Sequence, residues 1–334
     1  MVFDRRDPRW YAANMGRWYV WPTVLVLLVA APGAARAQKP PTGPPAAATT
    51  TTPQEMIKNA RAVARRTSKL RGLRMRRRVA MGVLSRDAII KRVEQKLAQE
   101  YTLDEIKHEA EVYRALGLIP AKLDYRSAVL ALLKDQVAGF YDPAKRQLNL
   151  AAWLPFSMQE PALAHELCHA LQDQHFRLKR FTRPIKDNSD RQLARAALVE
   201  GDCTGVMIEY LLRGQGLDLG AVPTALISEA RKAMVGGSSR AFKAAPKFLR
   251  ETLVFPYIHG LAFMQKLRVR HAWRVVNTMY KRPPKSTEQI LHYRKYWDRE
   301  QPEPVRSRKL ETLAGHELIK RDVLGEFQLG VYLE

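Results

Sequence analysis

Cysteine is almost absent from this chain. Only two cysteines, Cys168 and Cys203, occur in 334 residues. A small scaffold held together by several disulfides is therefore excluded, and the fold must depend on a hydrophobic core. Hydrophobic residues make up 46% of the sequence, which is enough for one large globular domain or two modest ones.

A hydrophobic run long enough to cross a membrane is also missing at the N-terminus. The apolar stretch at residues 18–32 is shorter than the roughly 20 residues that a spanning helix needs. Arginines precede it, and Ala35-Arg36-Ala37 follows it with small residues at the two positions that a signal peptidase requires. The sequence therefore predicts a signal peptide over residues 1–37, cleavage near Ala37, and export to the periplasm or the medium. Residues 38–54, rich in Pro, Ala and Thr, are predicted to form a linker.

Acidic residues are missing between Glu55 and Asp87, where ten of the intervening residues from Lys58 to Arg78 are Lys or Arg. The whole chain has a formal net charge of +23, and this block carries much of it. A basic segment of this kind attracts anionic polymers or lipids, or it is simply a solvated arm. We expect residues 55–84 to form a basic arm, and residues 58–78 to be able to contact an anionic component of the cell envelope. No specific nucleic-acid partner is expected.

The rest of the chain, residues 85–334, reads as a mainly helical domain. Apolar residues recur at helical spacing from Ser85 to Tyr101, and again over residues 103–116 and 125–136. The period then changes, and the segments 136–141 and 147–152 flank an Asp142-Pro143 turn, which predicts a β-hairpin. Helices resume from about Ser157. The predicted fold class is α+β, with a small antiparallel sheet.

Residues 165–169 read His-Glu-Leu-Cys-His. Positions i and i+4 share one face of a helix, so His165 and His169 can bind one Zn²⁺ from the same side. Glu166 is turned by about 100° from His165 and stands beside the metal, as a general base acting on zinc-bound water would. One face carries apolar residues, and the face with the histidines lacks the Lys and Glu of a surface helix, so the helix is predicted to be buried on both sides. The apolar face is Leu163, Leu167, Ala170 and Leu171, and the other is His165, His169, Asp173 and Phe176. The alternative is an ordinary core helix whose histidines have protein partners.

Zinc needs a third protein ligand, and two residues compete for this position. His175 has the spacing of the metzincin pattern, but Gln172 stands where that pattern requires a glycine for the chain to turn. Glu200 lies at the centre of an apolar helical stripe, where a carboxylate needs a cation. This misplaced charge favours Glu200 as the ligand. The alternative for Glu200 is a buried ion pair with an arginine.

Four motifs carry a resemblance to a known group of enzymes. They are Gly139-Phe-Tyr-Asp-Pro143, His165-Glu-Leu-Cys-His-Ala-Leu-Gln-Asp-Gln-His-Phe176, Ala197-Leu-Val-Glu-Gly-Asp202 and Ser286-Thr-Glu-Gln-Ile-Leu-His292. Over roughly residues 85–330 the chain resembles the gluzincin group of zinc metallopeptidases, and more closely a family of largely uncharacterised exported bacterial proteins of metallopeptidase type. The resemblance implies a zincin-like domain with the hairpin strand beside the cleft and Glu200 as third ligand. One departure is Tyr293, where the last motif is expected to continue with proline.

Several further residues are candidates for supporting roles. Asp173 could accept a hydrogen bond from a ligand histidine, and His292, Tyr257 or His259 could stabilise an oxyanion. Cys168 and Cys203 each neighbour an expected ligand and could form a disulfide or remain free. The sequence thus predicts an exported zinc metalloendopeptidase-like hydrolase that acts on a peptide or protein substrate. The alternatives are a zincin-like binding protein without turnover and a protein that binds polyanions through its basic arm.

Overall fold

The computed structural model describes residues 52–100, 102–134, 139–236, 239–305 and 320–334. The predicted signal peptide at residues 1–37 and all but the end of the predicted linker lie outside these ranges, so cleavage and export stay predictions. Within the described ranges, the search for a helix long and apolar enough to cross a membrane found none.

Most of the described residues are helical. The helices are α1 Pro53–Arg71, α2 Arg86–Glu100, α3 Leu103–Ala115, α4 Tyr125–Lys134, α5 Phe156–Phe176, α6 Leu178–Phe181, α7 Ser189–Leu212, α8 Thr224–Gly236, α9 Arg240–Ala244, α10 Lys247–Arg268, α11 Trp273–Met279, α12 Thr287–Leu291, α13 Tyr293–Trp297 and α14 Glu326–Leu333. The strands are β1 Ala80–Leu84, β2 Gly139–Asp142 and β3 Gln147–Ala151. This content is consistent with the predicted α+β class.

The small sheet is mixed rather than antiparallel, which corrects the prediction. Its strand order is β1-β3-β2. The predicted hairpin pairs β2 with β3 in antiparallel fashion, with Gly139 opposite Leu150. The difference is β1, which runs parallel to β3 with Ala80 opposite Gln147. This strand is five residues long and ends the basic segment, so its sequence has too few residues to show a strand pattern of its own.

The basic segment is not a free arm in the described structure. Helix α1 begins at Pro53, with Thr52 and Glu55 forming a capping box. It buries Met56, Ala60, Val63, Thr67 and Arg71, and its apolar side chains join the cluster formed by the sheet and α5. Its exposed side carries Lys58, Arg61, Arg65 and Lys69 at helical spacing. The helix therefore has one face in the core and one strongly basic face in solvent.

Helices α7 and α10 cross at a pair of glycines. A Cβ atom on Gly260 would lie 2.9 Å from the Gly201 Cα and closer still to the Ala197 carbonyl oxygen. Only glycine permits this approach of two backbones. The crossing places Tyr257 of α10 on the same side of the core as Glu200 of α7. Because α5 packs against α7 as well, α5, α7 and α10 together form the frame of the candidate site.

Candidate metal centre

Helix α5 carries the His-Glu-Leu-Cys-His motif through the middle of the protein. All ten residues from Leu163 to Gln172 are buried, and His165, Glu166 and His169 expose 3%, 4% and 0% of their surface. The prediction that this helix is buried on both faces is therefore confirmed. Polar side chains at such depth require partners, and those partners define the site.

Glu200 meets both histidines of the motif. Its Oε2 atom lies 3.3 Å from the Nε2 of His165 and 3.3 Å from the Nε2 of His169. The two Nε2 atoms are 3.1 Å apart. Glu200 itself is 5% exposed, although it lies on a largely apolar helix. Three electron-donating atoms from two helices thus converge on one buried point.

This triangle fits a zinc ion. Tetrahedral zinc has bonds of about 2.0–2.1 Å to nitrogen or oxygen, which places neighbouring ligand atoms about 3.3 Å apart. The observed separations of 3.1, 3.3 and 3.3 Å are close to that edge length. The arginine pair considered for Glu200 is not found, since no Lys or Arg in the described ranges forms an ion pair with it. The donors therefore suit a cation that no other described side chain supplies.

Gln172 fixes the tautomer of His169. Its Nε2 atom lies 2.9 Å from the Val199 carbonyl oxygen and 3.1 Å from an Asp202 carboxylate oxygen, which can only accept. The Oε1 atom must therefore be the end that faces His169 Nδ1, at 2.8 Å. It requires a proton on Nδ1, so the lone pair of neutral His169 is on Nε2, the atom that faces Glu200.

The same amide connects the site to the basic helix. Tyr280 accepts a hydrogen bond from Gln172 at 2.6 Å and donates one to Asp202 at 2.8 Å. Asp202 in turn binds the buried guanidinium of Arg71 at 2.6 and 3.1 Å. Sequence reasoning missed this network, and its one local signal was Gln172, a polar residue on a buried helix.

The charges of the cluster are strongly coupled. Burial lowers the pKa of His165 to about 4. Burial also acts to lower the pKa of His169, but the Glu200 carboxylate outweighs it and raises this pKa to about 9. The pKa of Glu200 is lowered because the two histidines overcome the effect of its burial. The carboxylate and the two imidazoles therefore titrate as one coupled cluster.

Glu166 faces the sheet. Its Oε2 atom accepts a hydrogen bond of 2.7 Å from the backbone N–H of Tyr141 on β2. This bond holds the carboxylate beside the cluster, where its charge contributes to the raised pKa of His169. The Tyr141 hydroxyl donates to Asp173 at 3.0 Å, and no hydrogen bond between the described residues joins Asp173 to either histidine of the motif. Gln172 has that role with His169 instead.

The remaining candidates are placed apart from the cluster, except for one. The Nε2 atom of His175 donates a hydrogen bond of 2.8 Å to the Arg74 carbonyl oxygen, since a carbonyl can only accept. His292 pairs with Glu326 on the surface at 2.7 Å. His259 stacks on Phe255, with ring centroids 4.8 Å apart. Tyr257, another oxyanion candidate, stacks on the motif residue His165, with ring centroids 6.3 Å apart.

A disulfide joins the two ligand helices. Cys168 of α5 and Cys203 of α7 are bonded, and their Cα atoms are 5.3 Å apart, within the usual range for this bond. Each cysteine lies close in sequence to a candidate ligand, Cys168 beside His169 and Cys203 three residues after Glu200. The bond therefore fixes the spacing of the two helices at the level of the site.

Comparisons with known protein families, with characterised proteins and with solved structures found no match. The resemblance to gluzincin peptidases thus rests on the motifs in the sequence. The geometry of the three candidate ligands is an independent observation.

Proposed function

We propose that this protein is an exported zinc-dependent metallopeptidase whose metal is held by His165, His169 and Glu200. The observation that carries this proposal is the convergence of two imidazoles and one carboxylate at tetrahedral spacing in a buried site. Three protein ligands with room for a fourth are typical of catalytic rather than structural zinc sites.

The residues around the ligands have separate roles in the proposed peptide hydrolysis. When bound, Zn²⁺ supplies a Lewis acid that polarises the substrate carbonyl and lowers the pKa of water. Glu166 takes a proton from the attacking water and returns it to the leaving amine nitrogen. The hydrogen bond from the Tyr141 N–H keeps the Glu166 carboxylate in position for both transfers.

Tyr257 is the best-placed residue for stabilising the oxyanion. Its ring stacks on His165, and it lines the same cavity as Glu200. A phenol can donate a hydrogen bond to the oxygen on which charge develops in the tetrahedral intermediate. His292 pairs with Glu326 and His259 stacks on Phe255, so neither is part of this arrangement.

The variant Glu166→Gln tests the chemistry. The amide is nearly isosteric and can still accept the Tyr141 N–H, but it cannot take a proton. We expect the zinc content and the thermal stability to stay close to those of the wild type, and peptide hydrolysis to fall by at least about 10²–10⁴-fold. Elemental analysis of the purified protein and hydrolysis of a diverse peptide library are the measurements.

Matched variants test which residues bind the zinc. Glu200→Ala should lose zinc, whereas His175→Ala should keep it because that side chain binds the Arg74 carbonyl. Full zinc in Glu200→Ala with loss in His175→Ala would overturn the ligand assignment. If fully loaded wild type cleaves no member of the library, a zincin-like binding protein without turnover becomes the better proposal.

The proposal also includes export and binding to the cell envelope. The Cys168–Cys203 disulfide supports export, since such bonds persist in oxidising compartments. The exposed row Lys58, Arg61, Arg65 and Lys69 supports contact with an anionic envelope component. Truncation before residue 80 cannot separate this binding from catalysis, because it removes Arg71 and with it the buried partner of Asp202.

A further inference from the structure

A cavity of about 100 Å³ lies beside Glu200. Helices α3, α4, α7 and α10 enclose it, and their contributions include Tyr113, Tyr125, Leu133, Phe248, Leu249 and Tyr257. Among the lining residues that the structure describes, Glu200 is the only one with a charge. The cavity is therefore an apolar chamber with a single charged residue in its wall.

The chamber shares its wall with the candidate metal centre. Glu200 lines the chamber, and its Oε2 atom lies 3.3 Å from each ligand histidine. Tyr257 lines the chamber too, and its ring stacks on His165. A molecule that is held at the three ligands can therefore reach the chamber with a neighbouring group.

Thr252, beside the chamber, has an unpaired hydroxyl. Thr252 lines the chamber, and its hydroxyl oxygen is buried without a hydrogen-bond partner among the described residues. Four residues on, Pro256 lacks the N–H that would bond the Thr252 carbonyl in a regular helix. A buried hydroxyl without a partner destabilises the protein, so a methyl group in its place should not weaken the fold.

The size and the lining of the chamber limit what it accepts. An apolar cavity of about 150 Å³ is able to hold benzene, so one of about 100 Å³ suits a single ring or branched chain with modest adjustment of its walls. It is too small for a stretch of polypeptide backbone. Charged side chains are disfavoured, because the walls offer them no counter-charge beyond Glu200, which is engaged with two histidines.

We propose that this chamber receives a large apolar side chain, aromatic or branched aliphatic, of a peptide substrate at a residue next to the cleaved bond. The cleavage rests on the proposed function, whereas the preference for an apolar side chain rests on the chamber itself.

Ala196→Leu tests the inference by filling the chamber. Ala196 is buried, lines the chamber and lies one helical turn before Glu200. The first measurement compares kcat/KM for peptides that differ only by Phe or Ala beside the cleaved bond. Wild type should prefer Phe by at least about tenfold, since burial of the larger side chain strengthens binding in the transition state. Ala196→Leu should bring the ratio close to one.

Thr252→Val is the matched control. It keeps the size of the wall residue and replaces an unpaired hydroxyl by a methyl group, so the preference for Phe over Ala should remain. Circular dichroism and the melting temperature check that each variant folds. Ala196→Met replaces Ala196→Leu if the branched side chain prevents folding.

A second measurement does not depend on catalysis. Binding of N-acetyl-phenylalaninamide and N-acetyl-alaninamide to the metal-free protein is followed by saturation-transfer NMR. The aromatic amide should bind wild type and Thr252→Val, and its signal should be lost in Ala196→Leu. The alanine amide should give no signal with any of them.

The two measurements distinguish the possible failures. Cleavage without a preference for large apolar side chains would overturn the chamber proposal and leave the metallopeptidase proposal intact. Binding of the aromatic amide that Ala196→Leu abolishes, with no cleavage of any peptide, would support the chamber and overturn the proposed function. Absence of binding together with absence of preference would overturn the chamber proposal.

Discussion

Replacing Arg71 by methionine should destabilise the protein far more than its place in a basic segment suggests. The guanidinium is fully buried and donates to both carboxylate oxygens of Asp202, at 2.6 and 3.1 Å, and to Asn277 at 3.0 Å. Methionine fills the volume of the stem but leaves the Asp202 charge buried. Removing one partner of a buried ion pair costs about 3–5 kcal/mol. The bonds that Gln172 and Tyr280 donate to Asp202 remain, so we expect the lower half of this range.

Arg66→Met is the matched control in the same helix. Arg66 pairs with Glu160 at 3.0 Å, but the two side chains are 47% and 30% exposed. Such a pair contributes about 0–1 kcal/mol. Both variants lose one positive charge from α1, so a difference between them reports burial rather than net charge. Urea denaturation followed by far-ultraviolet circular dichroism measures the free energy of unfolding.

Equal costs of Arg71→Met and Arg66→Met would contradict a stabilising role of the buried ion pair. The same holds if Asp202→Asn, added to Arg71→Met, recovers none of the lost stability, because the cost would then come from packing and not from an unpaired charge. In a chain of 334 residues, a loss of about 3–4 kcal/mol corresponds to a fall in melting temperature of roughly 4–6 °C.

Two further predictions concern the frame of the site. Gly260→Ala should cost about 1–3 kcal/mol or more, because its Cβ would collide with the backbone of α7; Gly214→Ala, which meets open space, should change the melting temperature little. Gln172→Leu should weaken zinc binding by about 10–100-fold in a chelator competition, since His169 loses the acceptor that fixes its tautomer. Gln174→Leu on the same helix is its control, and equal affinities of these two variants would contradict the role given to Gln172.

Local sequence features were enough to predict the three candidate ligands. The spacing of His165 and His169 needs only a helix, and the misplaced charge of Glu200 needs only the rule that a buried carboxylate has a cationic partner. Both arguments are independent of the rest of the fold. The structure places the three side chains around one point, as expected.

Features that depend on distant partners could not be predicted in this way. The role of Gln172 depends on Tyr280, 108 residues away, and the burial of Arg71 depends on Asp202, 131 residues away. The glycine crossing of α7 and α10 is a contact between backbones, which leaves no periodicity in either helix.

The basic segment shows how composition can conceal a pattern. Met56, Ala60, Val63 and Thr67 follow one another at spacings of four, three and four residues, which is one helical face. All four are buried. Ten positive charges in the same segment outweighed this short apolar stripe in the prediction. A helix that buries small residues can carry such a charge, because its other faces remain in solvent.

The network around the site holds the helices that carry the three candidate ligands. The disulfide fixes the distance between α5 and α7, and Gln172 of α5 donates to the Val199 carbonyl of α7 beside Glu200. In the proposed metal centre, covalent and hydrogen bonds therefore fix the helices on which the ligands stand. Such rigidity suits a catalytic centre, where the protein must hold the ligands and the base in fixed positions while the substrate changes.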